Sequence, residues 1–528
     1  MALNFADLFE HAVDAFGERI AVTCGDTQVT YTELDERANR LAHHLAGAGV
    51  GPGGRVGLYA RNSIPAVETL LAACKLRSGT VNINYRYTES ELAYMFSDSD
   101  MAALVYDREL APRVEAVAAA RTPFVVIDDG SQAAIGAGVE YEAALAAASP
   151  ERDFPPRSND DVYVLYTGGT TGYPKGVMWR HEDIWRTLGG GIDFTTGIPL
   201  ADEWEQSRRG LETAGMVRLC AAPLIHGLAQ ISVFMSLFTG DRMVLLARFD
   251  PDEVWQAVER YQVNLLQIVG DAMARPLIEA YSSHGYDASS LVALSSTAAL
   301  FSPVVKDACA KALPSVVITE AIGSSETGFG GLAFVAAGAE HRGGPTVTPG
   351  PDVIVIDDEG RRAGPGQVGR LARGGHIPLG YYKDPVKTAA LFAEVDGKRY
   401  TVPGDLARVE ADGTITLLGR GNTCVNTGGE KVFPEEVESA LKSHADVFDA
   451  LVIGVPDARL GQRVAALVQA REGRTIDLAA LEAHLRRQIA GYKVPRSVWL
   501  VDAVARTPSG KPDYGWAQRY TANRPPSA

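Results

Sequence analysis

The stretch Tyr166-Thr-Gly-Gly-Thr-Thr-Gly-Tyr-Pro-Lys175 sets three glycines and three threonines between an apolar run and a lysine. Glycine lets a backbone turn tightly and bring its N–H groups against a bulky anion. Threonine hydroxyls can bond phosphate oxygens or a phosphate-bound magnesium ion, and a lysine adds a positive point charge. The chemistry on offer is the cradling of a polyphosphate. It is not that of a Walker A loop, because no Gly-Lys-Ser/Thr closes the required spacing. A glycine-rich surface turn would have the same composition, so this stretch alone does not decide.

Further chemistry-bearing stretches follow along the chain. His226 ends the apolar run Leu219-Cys-Ala-Ala-Pro-Leu-Ile-His-Gly, and a lone histidine in such a place serves structure as readily as chemistry. Thr297-Ala298-Ala299 and Ala321-Ile-Gly-Ser-Ser-Glu326-Thr-Gly328 come next. Later come Tyr400-Thr-Val-Pro-Gly-Asp405, Gly419-Arg420, Gly428-Gly429-Glu-Lys431 and Arg506-Thr-Pro-Ser-Gly-Lys511.

The elements that must position these residues read as an α/β fold with mostly parallel strands. Residues 5–17 read as a helix, and Ile20–Cys24 and Gln28–Tyr31 as strands around a Gly25-Asp26 turn. Residues 31–45 form an amphipathic helix with Leu34, Ala38, Leu41 and Leu45 on one face. Arg55–Tyr59, a helix over about 64–77 and a strand near 80–84 complete a β-α-β unit, and Ala102–Tyr106 and Phe124–Ile127 continue the alternation. Asp161–Leu165 reads as a buried strand leading into the glycine-rich stretch. Residues 197–215 are polar and helix-prone. Further α/β units run from Met243 to Ile318, with Val316–Thr319 as the strand before the Glu326 motif. From Gly343 short strands and glycine turns predict a small β-subdomain. Helices at 435–443 and 478–490, with strands at 447–454 and 464–470, predict a small α+β domain.

The bulk properties bound the function. A chain of 528 residues exceeds one compact core and should form two or more domains. Its formal charge of −15 argues against nucleic acid as a partner, since such binders show a basic face. The five cysteines form no CxxC pair, which suits a reducing cytoplasm and offers no zinc site. No run reaches the roughly 18 apolar residues of a membrane span, and the N-terminus lacks the features of a secretion signal. A cytoplasmic, soluble protein is expected.

Taken together, the ordered motifs resemble the adenylate-forming superfamily of acyl-CoA synthetases, luciferases and peptide-synthetase adenylation domains, over nearly the whole chain. Within it, Gly168-Gly169-Thr170-Thr171-Gly172, Met178-Trp-Arg-His-Glu-Asp183, Ser324-Ser325-Glu326 and the segment 197–215 look most like actinobacterial long-chain and steroid side-chain acyl-CoA synthetases. The resemblance implies an N-terminal AMP-binding domain over 1–420, made of α/β subdomains plus the β-subdomain. It also implies a small mobile C-terminal domain over 421–528. The implied reaction joins a carboxylic acid to ATP, giving acyl-AMP and pyrophosphate, after which CoA displaces AMP.

The resemblance also implies roles. Thr167, Gly168, Gly169, Thr170, Thr171, Gly172 and Lys175 would hold phosphates, and Thr170 and Glu326 would bind Mg²⁺ as hard oxygen ligands. Thr297, Ala298, Ala299, Ala321, Ile322, Gly323, Ser324 and Ser325 would line the adenine pocket, with Ile322 where an aromatic residue is common. Asp405 would take the ribose diol, a vicinal pair suited to two carboxylate oxygens, and Arg420 the ribose edge. His226 would stand at the acyl entrance. Lys511 would reach the meeting carboxylate and α-phosphate, an electrostatic role. Asn422 takes the hinge position, and Asn426 replaces a frequent lysine. Gly429 would let the CoA thiol pass, and Lys431 would meet a CoA phosphate. A homodimer is common in such families. Two other readings stay open, an acyl-AMP ligase that loads a carrier protein and a non-catalytic nucleotide- or acyl-binding relic.

Overall fold

The computed structural model describes residues 3–117, 123–136, 138–167, 174–193, 196–335, 344–420, 423–427, 430–457, 459–507 and 510–527. Among these residues the strands form four sheets.

Five parallel strands, ordered Gly79–Asn82, Arg55–Tyr59, Ala103–Asp107, Phe124–Ile127 and Val139–Glu140, make one sheet. The expected β-α-β grammar holds there, with helices Ile64–Lys75, Glu89–Ser99 and Ala111–Val117 connecting the first four strands, whose residues are almost all buried. The 15-stranded sheet is mixed. Its parallel part joins Ile20–Cys24, Arg242–Leu245, Val217–Cys220, Leu265–Ile268, Ala293–Ser296 and Val317–Ser324. From Gly328–Phe334 onward the pairing is antiparallel, which builds the β-subdomain foreseen after Gly343.

Several expectations need correction. Tyr31 does not end a strand. The strand is Thr27–Thr30, and Thr30 caps the helix Tyr31–Gly47 through a capping box with Glu33, so local hydrogen bonding wins over the residue's strand preference. The buried strand expected at Asp161–Leu165 is present as Val162–Thr167; it pairs antiparallel with Lys175–Arg180, and Gly380–Tyr381 adds a third strand. Thr167 and Lys175 face each other across that hairpin.

In the segment 197–215 only Glu205–Leu211 is helical. Gln206 is buried, accepting from Trp185 Nε1 at 2.8 Å and donating to Thr239 Oγ1 at 3.1 Å. Thr239 ends the helix Gly227–Thr239, whose other end follows His226. At a rise of 1.5 Å per residue those ends lie about 20 Å apart, so this helix packs away from the His226 mouth.

The C-terminal unit has its own five-stranded sheet. The hairpin Val447–Asp457 and Gly461–Ala470 is longer than expected, and Ser497–Val501 pairs parallel with Gly461–Ala470. Its apolar residues form separate clusters on the two faces of this sheet, one under Pro434–Lys442 and Leu478–Gln488, the other under Tyr514–Ala522. Among the described residues no helix is long and apolar enough to cross a membrane.

Candidate active site

Two of the expected stretches lie at the carboxyl ends of parallel strands, where open α/β sheets place their ligands. Thr297–Ala299 directly follow Ala293–Ser296, and Ala321–Ser325 lie at and just past the end of the neighbouring Val317–Ser324. Ala298 adopts φ +68° and is exposed, a left-handed conformation that costs a non-glycine residue energy and marks the turn as constrained.

The hairpin Val162–Thr167/Lys175–Arg180 is linked to the Glu326 motif through two side chains. Trp179, buried on Lys175–Arg180, donates from Nε1 to the Ser325 carbonyl at 2.8 Å. Tyr381 donates its hydroxyl to Glu326 Oε1 at 3.1 Å, and its ring centroid lies 5.2 Å from Lys175 Nζ. One tyrosine therefore spaces a cation and a carboxylate at the same mouth. Gly328, at φ +66°, touches Thr187 so closely that a Cβ would collide with it. The motif's last glycine is thus required both by its backbone angle and by packing.

His226 stands before the helix Gly227–Thr239. The residue as a whole is half-buried, but Nε2 is enclosed and has no hydrogen-bond partner among the described residues. Burial, aided by the Lys511 charge, pushes its pKa down to about 3, so the imidazole is neutral at physiological pH. The turn that carries Lys511 packs on the large body at the helix Gly270–His284, where a Cβ on Gly510 would sit 3.1 Å from Ala272 Cβ. Lys511 sits in a tight turn where its N–H donates to Thr507 Oγ1 at 3.1 Å and its carbonyl accepts from Thr507 N–H at 2.8 Å.

Asp405 is half-buried and directly opposite Arg420 in the strand register. Ile322 departs from expectation. Its side chain is 5% exposed and packs with Val347, Val353 and Ile415 in the β-subdomain core. Strand alternation turns it away from solvent and leaves the half-buried Ala321 and the exposed Gly323 as the open neighbours. Gly168, Gly169, Thr170, Thr171, Gly172, Asn422 and Gly429 lie outside the described residues, as do the side chains of Arg420, Asn426 and Lys431.

The sequence reading missed Asn82. This buried side chain donates from Nδ2 to the carbonyls of Tyr166 at 2.8 Å and Ile225 at 2.6 Å, and it accepts the Tyr166 N–H at 2.8 Å. It therefore fixes the entrance to the glycine-rich stretch beside the His226 turn. Tyr381 and Trp179 were missed in the same way. The one available signal was a polar residue, Asn82, ending an apolar parallel strand.

For a magnesium ion the residues present fit. Glu326 keeps acceptor capacity beyond its bond to Tyr381, and this half-buried carboxylate, which shares Tyr381 with Lys175, is a hard oxygen donor.

The fold is a large α/β body with a smaller C-terminal unit. The AMP-binding enzyme family matches residues 9–382, and the AMP-binding enzyme C-terminal domain matches 436–511. The chain belongs to that family. It is 53% identical to a 3-oxocholest-4-en-26-oate–CoA ligase of Rhodococcus rhodochrous, over 99% of this chain and 97% of the relative. It is 54% identical to a medium/long-chain-fatty-acid–CoA/3-oxocholest-4-en-26-oate–CoA ligase of Mycobacterium tuberculosis, again over 99% and 97%. Among solved structures it is similar to ATP-bound MatB from Rhodopseudomonas palustris, with a TM-score of 0.83, 26% identity and 99% of both chains covered.

Proposed function

We propose that this protein is an AMP-forming acid–thiol ligase that converts a medium- or long-chain fatty acid, or a steroid side-chain carboxylate, into its CoA thioester. The substrate class follows from relatives with those activities that match end to end at over half identity. The observation that supports the mechanism is the packing of the turn bearing Lys511 on the large body, where a Cβ on Gly510 would sit 3.1 Å from Ala272 Cβ.

In the first step a substrate carboxylate oxygen bonds to the α-phosphorus of ATP while the bond to the bridging oxygen of pyrophosphate breaks. This chemistry needs charge neutralisation and positioning more than a protein nucleophile. Lys175 and the stretch 167–172 hold the phosphates, Lys511 offsets the two anions that must meet, and Asp405 with Arg420 takes the ribose. Thr297–Ala299 and Ala321–Ser325 flank the adenine, where Ile322 supports the wall from within the core. Thr170 and Glu326 would hold Mg²⁺, which would supply neutralisation of phosphate charge. His226 stays neutral and shapes the entrance. In the second step the CoA thiolate sulfur bonds to the acyl carbon and AMP leaves. Residues 421–528 act as a mobile domain turning about Asn422, with Gly429 giving the thiol passage and Lys431 meeting a CoA phosphate.

Because ATP and CoA are intracellular metabolites, we place the protein in the cytoplasm. We also infer a homodimer from family resemblance, which sedimentation velocity checks.

The test is AMP release with ATP, Mg²⁺ and CoA over acids from acetate to long-chain and steroid side-chain carboxylates, with a control lacking CoA. CoA-dependent turnover, best on the large apolar acids, is expected. Pyrophosphate exchange without CoA turnover would point to carrier-protein loading, and silence in both assays to a binding protein.

A further inference from the structure

The helix Gly270–His284 carries Asp271, Arg275 and Glu279 at i, i+4 and i+8, which puts all three on one face. Each meets a different part of the C-terminal unit. Lys442 Nζ lies 3.2 Å from Asp271 Oδ2, with the two side chains 1% and 5% exposed. The Arg275 guanidinium lies 5.5 Å from the Phe448 ring centroid. At the exposed end Arg471 Nη1 is 3.4 Å from Glu279 Oε1. The same helix also touches the turn that carries Lys511. A Cβ on Gly510 would sit 3.1 Å from Ala272 Cβ and 3.6 Å from Val269 Cγ1.

Two chains of contacts run outward from the buried pair. Inside the C-terminal unit, Lys442 lies 3.8 Å from Asp449 Oδ1. Asp449 accepts from Arg506 Nε and Nη2 at 2.7 Å each, and Arg506 Nη1 donates to the Gly510 carbonyl at 3.3 Å. On the other side, Asp271 Oδ1 accepts the Ser302 N–H at 2.7 Å, and the Asp271 N–H donates to the Leu300 carbonyl at 2.9 Å. One carboxylate thus joins the loop after Thr297–Ala299 to the turn bearing Lys511.

A buried ion pair contributes little net stability, since desolvation offsets its attraction, but breaking it from one side is costly and it enforces one geometry. A charged seam can also part, because both partners regain water when separated, whereas an apolar seam would lose its driving force. Asp271 Oδ2 has no hydrogen-bond donor among the described residues, so Lys442 serves as its counter-charge.

We propose that Asp271 and Lys442 form a positioning latch. Closed, it seats the C-terminal unit on this helix with Lys511 facing the site for acyl-AMP formation, and it parts for the CoA step. The proposal rests on the two-step reading above.

The test uses the full chain with Lys442→Met, Asp271→Asn and the conservative Lys442→Arg. Three quantities are read. They are pyrophosphate exchange, CoA transfer from supplied acyl-AMP, and bismaleimide cross-linking of cysteines placed at Glu279 and Arg471. Lys442→Met and Asp271→Asn should lower exchange by roughly a hundredfold, the scale of breaking a buried pair, and leave CoA transfer within about threefold. Cross-linking yield should fall with exchange, and Lys442→Arg should restore both. Equal loss in both half-reactions, or unchanged exchange and cross-linking, would overturn the latch. If the buried variants fail to fold, Glu279→Lys at the exposed end repels Arg471. It should reduce exchange by about twofold at low salt and less at high salt, and no selective effect on exchange would overturn the proposal. Cross-linking does not need turnover. A chain carrying the two placed cysteines, with Asp271 and Lys442 intact, that cross-links but exchanges no pyrophosphate would sink the two-step reading and spare the latch. One that turns over without cross-linking would do the reverse.

Discussion

Lys511 and Tyr381 separate charge from shape at the mouth of the site. Lys511→Ala removes the cation proposed to serve the acyl-AMP step and leaves the backbone bonds to Thr507 intact. Pyrophosphate exchange should fall by at least about a thousandfold, the scale of losing a preorganised charge, while CoA transfer from supplied acyl-AMP persists. Equal losses in the two assays would mean that the lysine has been given the wrong role. Tyr381→Phe keeps the ring beside Lys175 but removes the hydroxyl at Glu326. The expected outcome is a severalfold rise in the Mg²⁺ concentration needed for half-maximal rate, with the unfolding temperature unchanged. His226, held neutral by a pKa of about 3, should contribute no limb to the kcat/KM profile between pH 5.5 and 9. His226→Ala should change its level and not its shape. These assignments grew from local motifs, because Gly-Ser-Ser-Glu and Pro-Ser-Gly-Lys are contiguous. Tyr381 was silent because its partners lie far from it in the chain.

At the scale of elements, Asn82 and His181 hold strands and helices in place. Asn82→Ala would strand three buried backbone groups, each worth about 1–3 kcal/mol when unpaired. Chemical denaturation should register a loss of about 3 kcal/mol or more, with phosphate-loop function falling in parallel. His181 Nδ1 accepts the Phe5 N–H at 2.9 Å, and burial lowers its pKa to about 4. Its folded pKa lies below the ordinary value of 6.5, so the unfolded chain binds more protons between those values. Stability therefore falls as the pH drops from about 6.5 to 4. His181→Asn, whose Oδ1 accepts without titrating, should flatten that part of a calorimetric pH series. The parallel strands and amphipathic helices around these anchors were legible from periodicity. The hairpin Val162–Thr167/Lys175–Arg180 was not, because an apolar run reads alike in either pairing direction.

Across the whole molecule, the seam between the large body and the C-terminal unit is charged. Glu435 carries an enclosed Oε2 with no partner among the described residues, close to Gly419, whose φ of +106° and lack of a side chain leave it room. Burial, then Glu438 and Asp405, raises its pKa to about 8, and burial raises that of Glu438 to about 7. Both therefore hold protons that the unfolded chain releases near 4.5. Their stabilising contribution is full below that value and is lost as the pH rises through about 7 and 8. Glu435→Gln should gain unfolding temperature over wild type as the pH goes from 5 to 8.5, and a constant difference would contradict the assignment.

The sequence by itself determined the periodic elements, the ordered motifs and the family they resemble, because strands, helices and glycine turns are written in near-neighbour chemistry. Only the tertiary structure decided that Ile322 faces a core, that Asn82 braces two loops and that Gln206 packs away from the His226 mouth. It also decided that Asp271 meets Lys442. The reason is physical, since burial and the pairing of charges depend on which distant surfaces pack together, and local spacing does not specify that packing.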